Sequence, residues 1–185
     1  PLYKDLNPKL DCETAIIIGN GNVALDCARI LAKQEEELEG SDISSKNLNL
    51  LNSSSIKRIH VIGRRGPKES KFTISELREF LELKEFSVKI NFSREKLYNY
   101  LEDQTIDTRV KKNLDLFNEF YDQDNRKKEI VFDFFKTPLE FVGKESLEGV
   151  KFSNINKEEE FIKSNLVIKA IGYKVSKIEN LELDE

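Results

Sequence analysis

Residues 19–24 read Gly-Asn-Gly-Asn-Val-Ala, and the segments on either side make this hexapeptide the strongest constraint on the fold. Ahead of it, Thr14, Ala15, Ile16, Ile17 and Ile18 form a short β-branched run of the kind buried on both faces of a parallel sheet. Behind it, Val23, Cys27, Ile30 and Leu31, with Ala24 and Ala28, recur at helical spacing. That face is expected to carry on through the charged run 34–39 until Gly40 stops it. Strand, G-x-G-x-x-A turn and helix in this order make a dinucleotide-binding fingerprint. Gly19 permits the tight turn, Gly21 lets backbone approach a pyrophosphate, and Ala24 lets the helix pack close to the strand. The helix N-terminus adds unpaired N–H groups and a partial positive charge. The alternative is a glycine turn that only joins a strand to a helix.

The rest of the chain repeats the strand-then-helix alternation. Ser41 and Asp42 can cap a short helix carrying Ile43, Leu48 and Leu51, and residues 58–62 form a strand closing at Gly63. Gly66-Pro67 forbids an immediate helix, so a loop precedes a helix over 73–83 and a third strand over 88–92. Residues 94–128 predict two surface helices with an intermittent stripe that includes Leu97, Leu101, Val110, Leu114 and Phe117. The runs 130–135, 139–142 and 149–152 predict an antiparallel meander, and 165–171 a last parallel strand ending at Gly172. Phe132, Phe134, Phe135, Phe141 and Phe152 are expected in the core. The fold class is α/β, a Rossmann-like three-layer sandwich with a parallel central sheet and a small antiparallel β meander.

Composition narrows the function. The 185 residues fit one domain, 1–185, and 30 Lys+Arg against 34 Asp+Glu leave a net charge of -4, which argues against a nucleic-acid coat. No window approaches the ~20 apolar residues of a membrane span, and the N-terminus lacks a signal-peptide pattern. The start at Pro1 and the acidic end at 181–185 read as cuts through a longer protein, so an excised domain is expected. Cys12 and Cys27 form no C-x-x-C pair, which argues against a dithiol centre, a disulfide framework or zinc, and no metal-ligand or Ser-His-Asp spacing stands out. His60 alternates with apolar residues inside a strand and reads as a satisfied sheet histidine rather than a base.

Cofactor choice is legible at the second strand. An NAD-preferring fold offers a carboxylate there, ~20 residues after the fingerprint, for the ribose hydroxyls. This strand instead ends in Gly63-Arg64-Arg65-Gly66, while Glu36, Glu37 and Glu39 belong to the solvated end of the first helix. Two guanidiniums suit a doubly charged 2′-phosphate, because each makes forked, charge-assisted hydrogen bonds that a carboxylate would oppose. NADP(H) is the expected ligand.

Three blocks, DCETAIIIGNGNVALDCARIL, VIGRRGPKESKFTISELREF and LVIKAIGYK, together closely resemble the NADP-binding domain of adrenodoxin reductase, the mitochondrial-type NADPH:ferredoxin oxidoreductase family. The resemblance implies that Gly19, Asn20, Gly21 and Asn22 meet the pyrophosphate, that Arg64 and Arg65 hold the 2′-phosphate, and that Glu76 contacts the ribose end. It implies that Asp26 pairs with a histidine of an FAD domain near the nicotinamide, with Glu79 close to the same cleft. Position 20 is Asn where the family is expected to carry Gln, a shorter side chain that should leave backbone contacts intact. Arg78 matches a basic residue that helps dock the ferredoxin; Arg109, Lys111 and Lys112 are either a second part of that patch or an ordinary solvated helix face. The family implies a mitochondrial whole enzyme that passes a hydride from NADPH to FAD in a separate domain, then single electrons to a [2Fe-2S] ferredoxin. The domain alone should bind NADP(H) without turnover. The competing assignments are the NADPH domain of a glutamate-synthase-type or pyrimidine-reducing flavoprotein, and a non-catalytic NADP(H)-sensing module.

Overall fold

The computed structural model describes residues 8–172; the two chain ends, with Tyr173 and Lys174 of the third block, lie outside the described residues. In chain order the strands are β1 (Thr14–Ile18), β2 (Arg58–Ile62), β3 (Phe86–Asn91), β4 (Lys128–Asp133), β5 (Thr137–Val142), β6 (Gly149–Ser153), β7 (Glu159–Lys163) and β8 (Leu166–Lys169). The helices are α1 (Asn22–Ala32), α2 (Glu35–Leu38), α3 (Ser45–Asn52), α4 (Ile74–Arg78), α5 (Arg94–Glu102) and α6 (Thr108–Phe120), with 3₁₀ turns at Pro67–Glu69 and Glu79–Leu81. Five strands pair in parallel in the order β3-β4-β2-β1-β8, and β5-β6-β7 form a separate antiparallel sheet.

Period-two alternation explains why β1 is apolar throughout. Ala15 and Ile17 face the helical layer, whereas Ile16 and Ile18 face the meander. On the helical side Leu25 and Ala28 of α1, Leu77 of α4, and Leu114 and Phe117 of α6 close over the sheet. Phe117 lies edge-to-face with Phe72 at 5.8 Å and with Phe132 at 5.4 Å, and Phe80 meets Phe132 at 5.7 Å. Each such fully buried side chain contributes about 1.5–3 kcal/mol relative to exposure. On the other side Val150 and Phe152 of β6 cover Ile16, Ile18 and Ile62. Helices, parallel sheet and meander are therefore the three expected layers. Among the described residues, no helix is long and apolar enough to cross a membrane.

Of the boundaries that differ from the sequence expectation, four change the layout, while the cap of α3 moves to Ser44. The first helix stops at Ala32, where Lys33 turns extended, and the acidic run starts a new helix behind the Gln34–Glu37 capping box. Three glutamates in the first turn of α2 face a favourable dipole end, which they would have opposed as the last turn of α1. The helix expected over 73–83 is a short α4 followed by a 3₁₀ turn. The run at 130 belongs to β4 in the parallel sheet, between β3 and β2, and the third meander strand is β7. Phe132 and Phe134 accordingly sit in the helical-side core, and Phe141, expected in the core, is 51% exposed on β5.

Candidate functional site

The carboxyl ends of β1 and β2 lie side by side and bring the glycine turn against the arginine pair. Gly19 donates its N–H to the Ile62 carbonyl at 3.0 Å, and a Cβ on Gly63 would sit 3.0 Å from Asn20 Nδ2. Gly19 adopts φ +144°, and a Cβ there would lie 2.2 Å from the Ala170 carbonyl oxygen, so approach of the chain just after β8 demands this glycine. Gly21 caps α1 with extended backbone and no side-chain cap bond, and a Cβ on it would meet nothing within 4 Å. Space is thus clear beside the residue that caps the 11-residue α1, and no side chain caps its first-turn amides, a geometry that suits an anion.

Both asparagines of the turn reach sideways. Asn20 Nδ2 donates to Ser70 Oγ at 2.9 Å, and the Asn20 carbonyl accepts from Lys71 N at 3.1 Å. Asn22 Oδ1 accepts from Thr73 N at 2.9 Å, at the start of α4. The glycine turn is fastened to the loop 70–73, and the Gly19 and Ala24 amides are already engaged, so among the described residues the amides of residues 20–23 are the turn donors that can meet a ligand.

Arg64 and Arg65 are exposed at the tip of β2, and no ion pair with either is found among the described residues. Behind them lies a buried polar cluster that the sequence reading missed. Asp133, at the end of β4, accepts from His60 Nδ1 at 2.6 Å, Asn91 Nδ2 at 2.7 Å and Lys136 Nζ at 2.8 Å. Burial works against ionisation of Asp133, but the bonds from His60, Asn91 and Lys136 outweigh it and hold the carboxyl below its ordinary range. Burial likewise opposes the Lys136 ammonium, and its bonds to Asp133 and to Glu160, at 2.7 Å, raise its pKa nonetheless. His60 is a satisfied sheet histidine, as its alternation suggested.

The carboxylates singled out in the sequence converge on a residue that was not. Arg29 pairs with Asp26 at 2.6 Å and with Glu79, and lies 4.0 Å from Glu76. Three carboxylates around one guanidinium leave a net negative patch between the later turns of α1 and the α4 segment. The only sequence signal for Arg29 was its place three residues after Asp26, the spacing of a helical ion pair. Arg78 is exposed on α4, and Arg109, Lys111 and Lys112 are exposed on α6, whose opposite face buries Leu114 and Phe117. Burial pushes the thiols of Cys12 and Cys27 up, which leaves neither activated.

A parallel sheet whose first strand ends in a glycine turn, with helices on one face and a β meander on the other, defines a Rossmann-like domain. No family model matches the chain. It is 32% identical over its whole length to the mitochondrial NADPH:adrenodoxin oxidoreductase of Arabidopsis thaliana, of which it covers 44%. The chain is a domain of the adrenodoxin-reductase type. A stretch of 83 residues, 45% of the chain, is 49% identical to 17% of the human mitochondrial NADPH:adrenodoxin oxidoreductase. In three dimensions the chain superposes on FprA of Mycobacterium tuberculosis in complex with NADPH at a TM-score of 0.84 and 28% identity, covering all of this chain and 44% of that one. The chain spans under half the length of the curated relatives it matches along its whole length.

Proposed function

We propose that residues 1–185 form the NADP(H)-binding domain of an adrenodoxin-reductase-like ferredoxin-NADP reductase. The observation that carries this reading is the pair of exposed guanidiniums of Arg64 and Arg65, without an ion pair among the described residues, beside the open turn at Gly21. The turn fits a pyrophosphate and the arginines fit a 2′-phosphate, while the rest of the protein would hold FAD. The whole enzyme passes a hydride from NADPH to FAD and then single electrons to a [2Fe-2S] ferredoxin. This chain's part is to bind and orient: backbone of residues 19–22 meets the diphosphate, Arg64 and Arg65 the 2′-phosphate, and Glu76 the ribose end. Asp26 faces a histidine of the FAD domain near the nicotinamide, with Glu79 in the same cleft, and ion pairs with Arg29 orient both carboxylates. Arg78 contributes to ferredoxin docking, where complementary charge speeds encounter. The plant and human relatives are named as mitochondrial and support that location, although a bacterial protein shares the fold.

Calorimetric titration of the chain with NADP+ and with NAD+, at low and moderate salt, tests the reading. Preference for NADP+ that weakens with salt is expected. Equal affinity for the two cofactors would refute it. The chain alone should show no diaphorase activity with NADPH, and turnover without added flavoprotein would overturn the assignment of FAD to another domain.

A further inference from the structure

The arginine pair sits in a four-residue loop, 63–66, whose backbone is fixed by the segment just beyond β4. Gly63 N–H donates to the Asp133 carbonyl at 2.7 Å, Lys136 N–H donates to the Gly63 carbonyl at 3.1 Å, and Phe135 N–H donates to the Arg65 carbonyl at 3.3 Å. At the far end of the loop the Phe135 ring occupies the space beside Gly66, where a Cβ would lie 2.6 Å from Cζ. Residues 133–136 therefore grip the loop on both sides of the two guanidiniums.

That grip depends on a strained residue. Phe135 adopts φ 57°, left-handed backbone that costs a bulky side chain about 1–3 kcal/mol and persists only where the surroundings enforce it. Two contacts enforce it here. The Phe135 ring lies 6.0 Å from that of Phe92, and Lys136 folds back across the turn onto Asp133 while reaching Glu160 of β7. Lys136 is 7% exposed and Asp133 1%. A buried ionic cluster is a poor way to stabilise a fold, since apolar side chains of the same volume often serve as well or better. Its value lies in fixing one geometry.

We infer that Lys136, held between Asp133 and Glu160, is a positioning residue for cofactor selectivity, locking the Phe135 turn and through it the backbone that presents Arg64 and Arg65. The inference rests on the NADP(H) reading of that pair. Without the lysine charge the turn is free to relax, the loop carbonyls lose their donors, and two guanidiniums on a mobile loop lose the pre-organisation on which bidentate binding depends. The glycine turn is fastened separately, to Ile62, Ser70 and Thr73, so affinity that does not involve the 2′-phosphate is untouched.

The test compares Lys136→Met, Lys136→Arg and Glu160→Gln in the whole protein by titration with NADP+ and, separately, NAD+. Lys136→Met should weaken NADP+ by about tenfold or more while NAD+ affinity stays within about twofold. Lys136→Arg should keep most of the preference, because a guanidinium can span the same two carboxylates. An unchanged NADP+/NAD+ ratio in Lys136→Met, or equal loss of both, overturns the inference. Should Lys136→Met fail to fold, Glu160→Gln decides: its side chain is half-exposed, and a falling ratio supports the role while a constant one refutes it. Lack of any NADP+ preference in the unmodified protein would instead defeat the cofactor reading, and the inference with it; a preference that survives Lys136→Met defeats the inference alone.

Discussion

The two glycines of the turn make opposite demands, and Gly→Ala at each separates them. At Gly19 an alanine must accept φ +144°, a region closed to side chains at about 1–3 kcal/mol, with its Cβ 2.2 Å from the Ala170 carbonyl oxygen. The obstacle is backbone, so the chain after β8 has to move, and a total cost of about 3 kcal/mol or more follows. For a domain of this size that lowers the Tm by roughly 6–12 °C. At Gly21 the backbone has φ -133° and nothing lies within 4 Å of a new Cβ. Reduced freedom of the unfolded chain stabilises Gly21→Ala by about 0.4–1 kcal/mol. The poorer helix cap offsets a similar amount, so the Tm should barely change. The new methyl nonetheless stands in the space assigned to the pyrophosphate and should weaken NADP+ and NAD+ alike, by about tenfold or more. Thermal melts paired with calorimetric titration read both effects. A folded Gly21→Ala protein with undiminished cofactor affinity would refute the placement of the diphosphate, and an unperturbed Tm for Gly19→Ala would refute the steric argument.

Two further outcomes follow from charge. Replacing Arg64 and Arg65 with alanine removes charge-assisted bonds of about 1.5–3 kcal/mol each, roughly halved for exposed groups by solvent screening. NADP+ should therefore bind about 10- to 150-fold more weakly with NAD+ nearly unchanged, and equal losses in the titration would exclude a 2′-phosphate role. Asp133 has its folded-state pKa below the ordinary 3.8, so its stabilising contribution is complete above that value and lost as the pH falls through the folded pKa. Asp133→Asn should cost about 3 kcal/mol in urea unfolding at pH 6 and distinctly less at pH 3, whereas an equal loss at both would show that the carboxylate's charge is irrelevant.

What the sequence disclosed, and what it hid, follows from the range of the interactions. β1, β2 and β8 were legible because each is a short apolar run closed by a turn, with the first two ending in glycines that the local backbone needs. The G-x-G-x-x-A turn and the arginine pair were legible for the same reason, their chemistry being contained in a few consecutive residues. Pairing partners were not. Nothing local distinguishes β4 as a strand wedged between β3 and β2 from a strand of the meander. β7, with the sequence EEFIK, has too few apolar residues to register against a charged background, and its Phe161 is 51% exposed. Lys136 was hidden in the aromatic stretch around Phe134 and Phe135. Its partners come from the same strand end and from β7, 24 positions apart in sequence, so only the folded chain brings Glu160 to it.

The central place of β1 has a bearing on synthesis. Its two neighbours are β2, which follows after three helices, and β8, which is the last strand among the described residues. At ~5–20 residues per second, roughly a hundred residues and about 5–20 s separate the emergence of these two neighbours from the ribosome. Throughout that interval the most apolar strand of the sheet presents an unpaired edge, the kind that recruits foreign strands. The shape of the phosphate turn is likewise conditional, because the contact that reserves Gly19 comes from Ala170. A nascent chain halted inside the meander would carry the whole fingerprint sequence and still lack the last strand beside it.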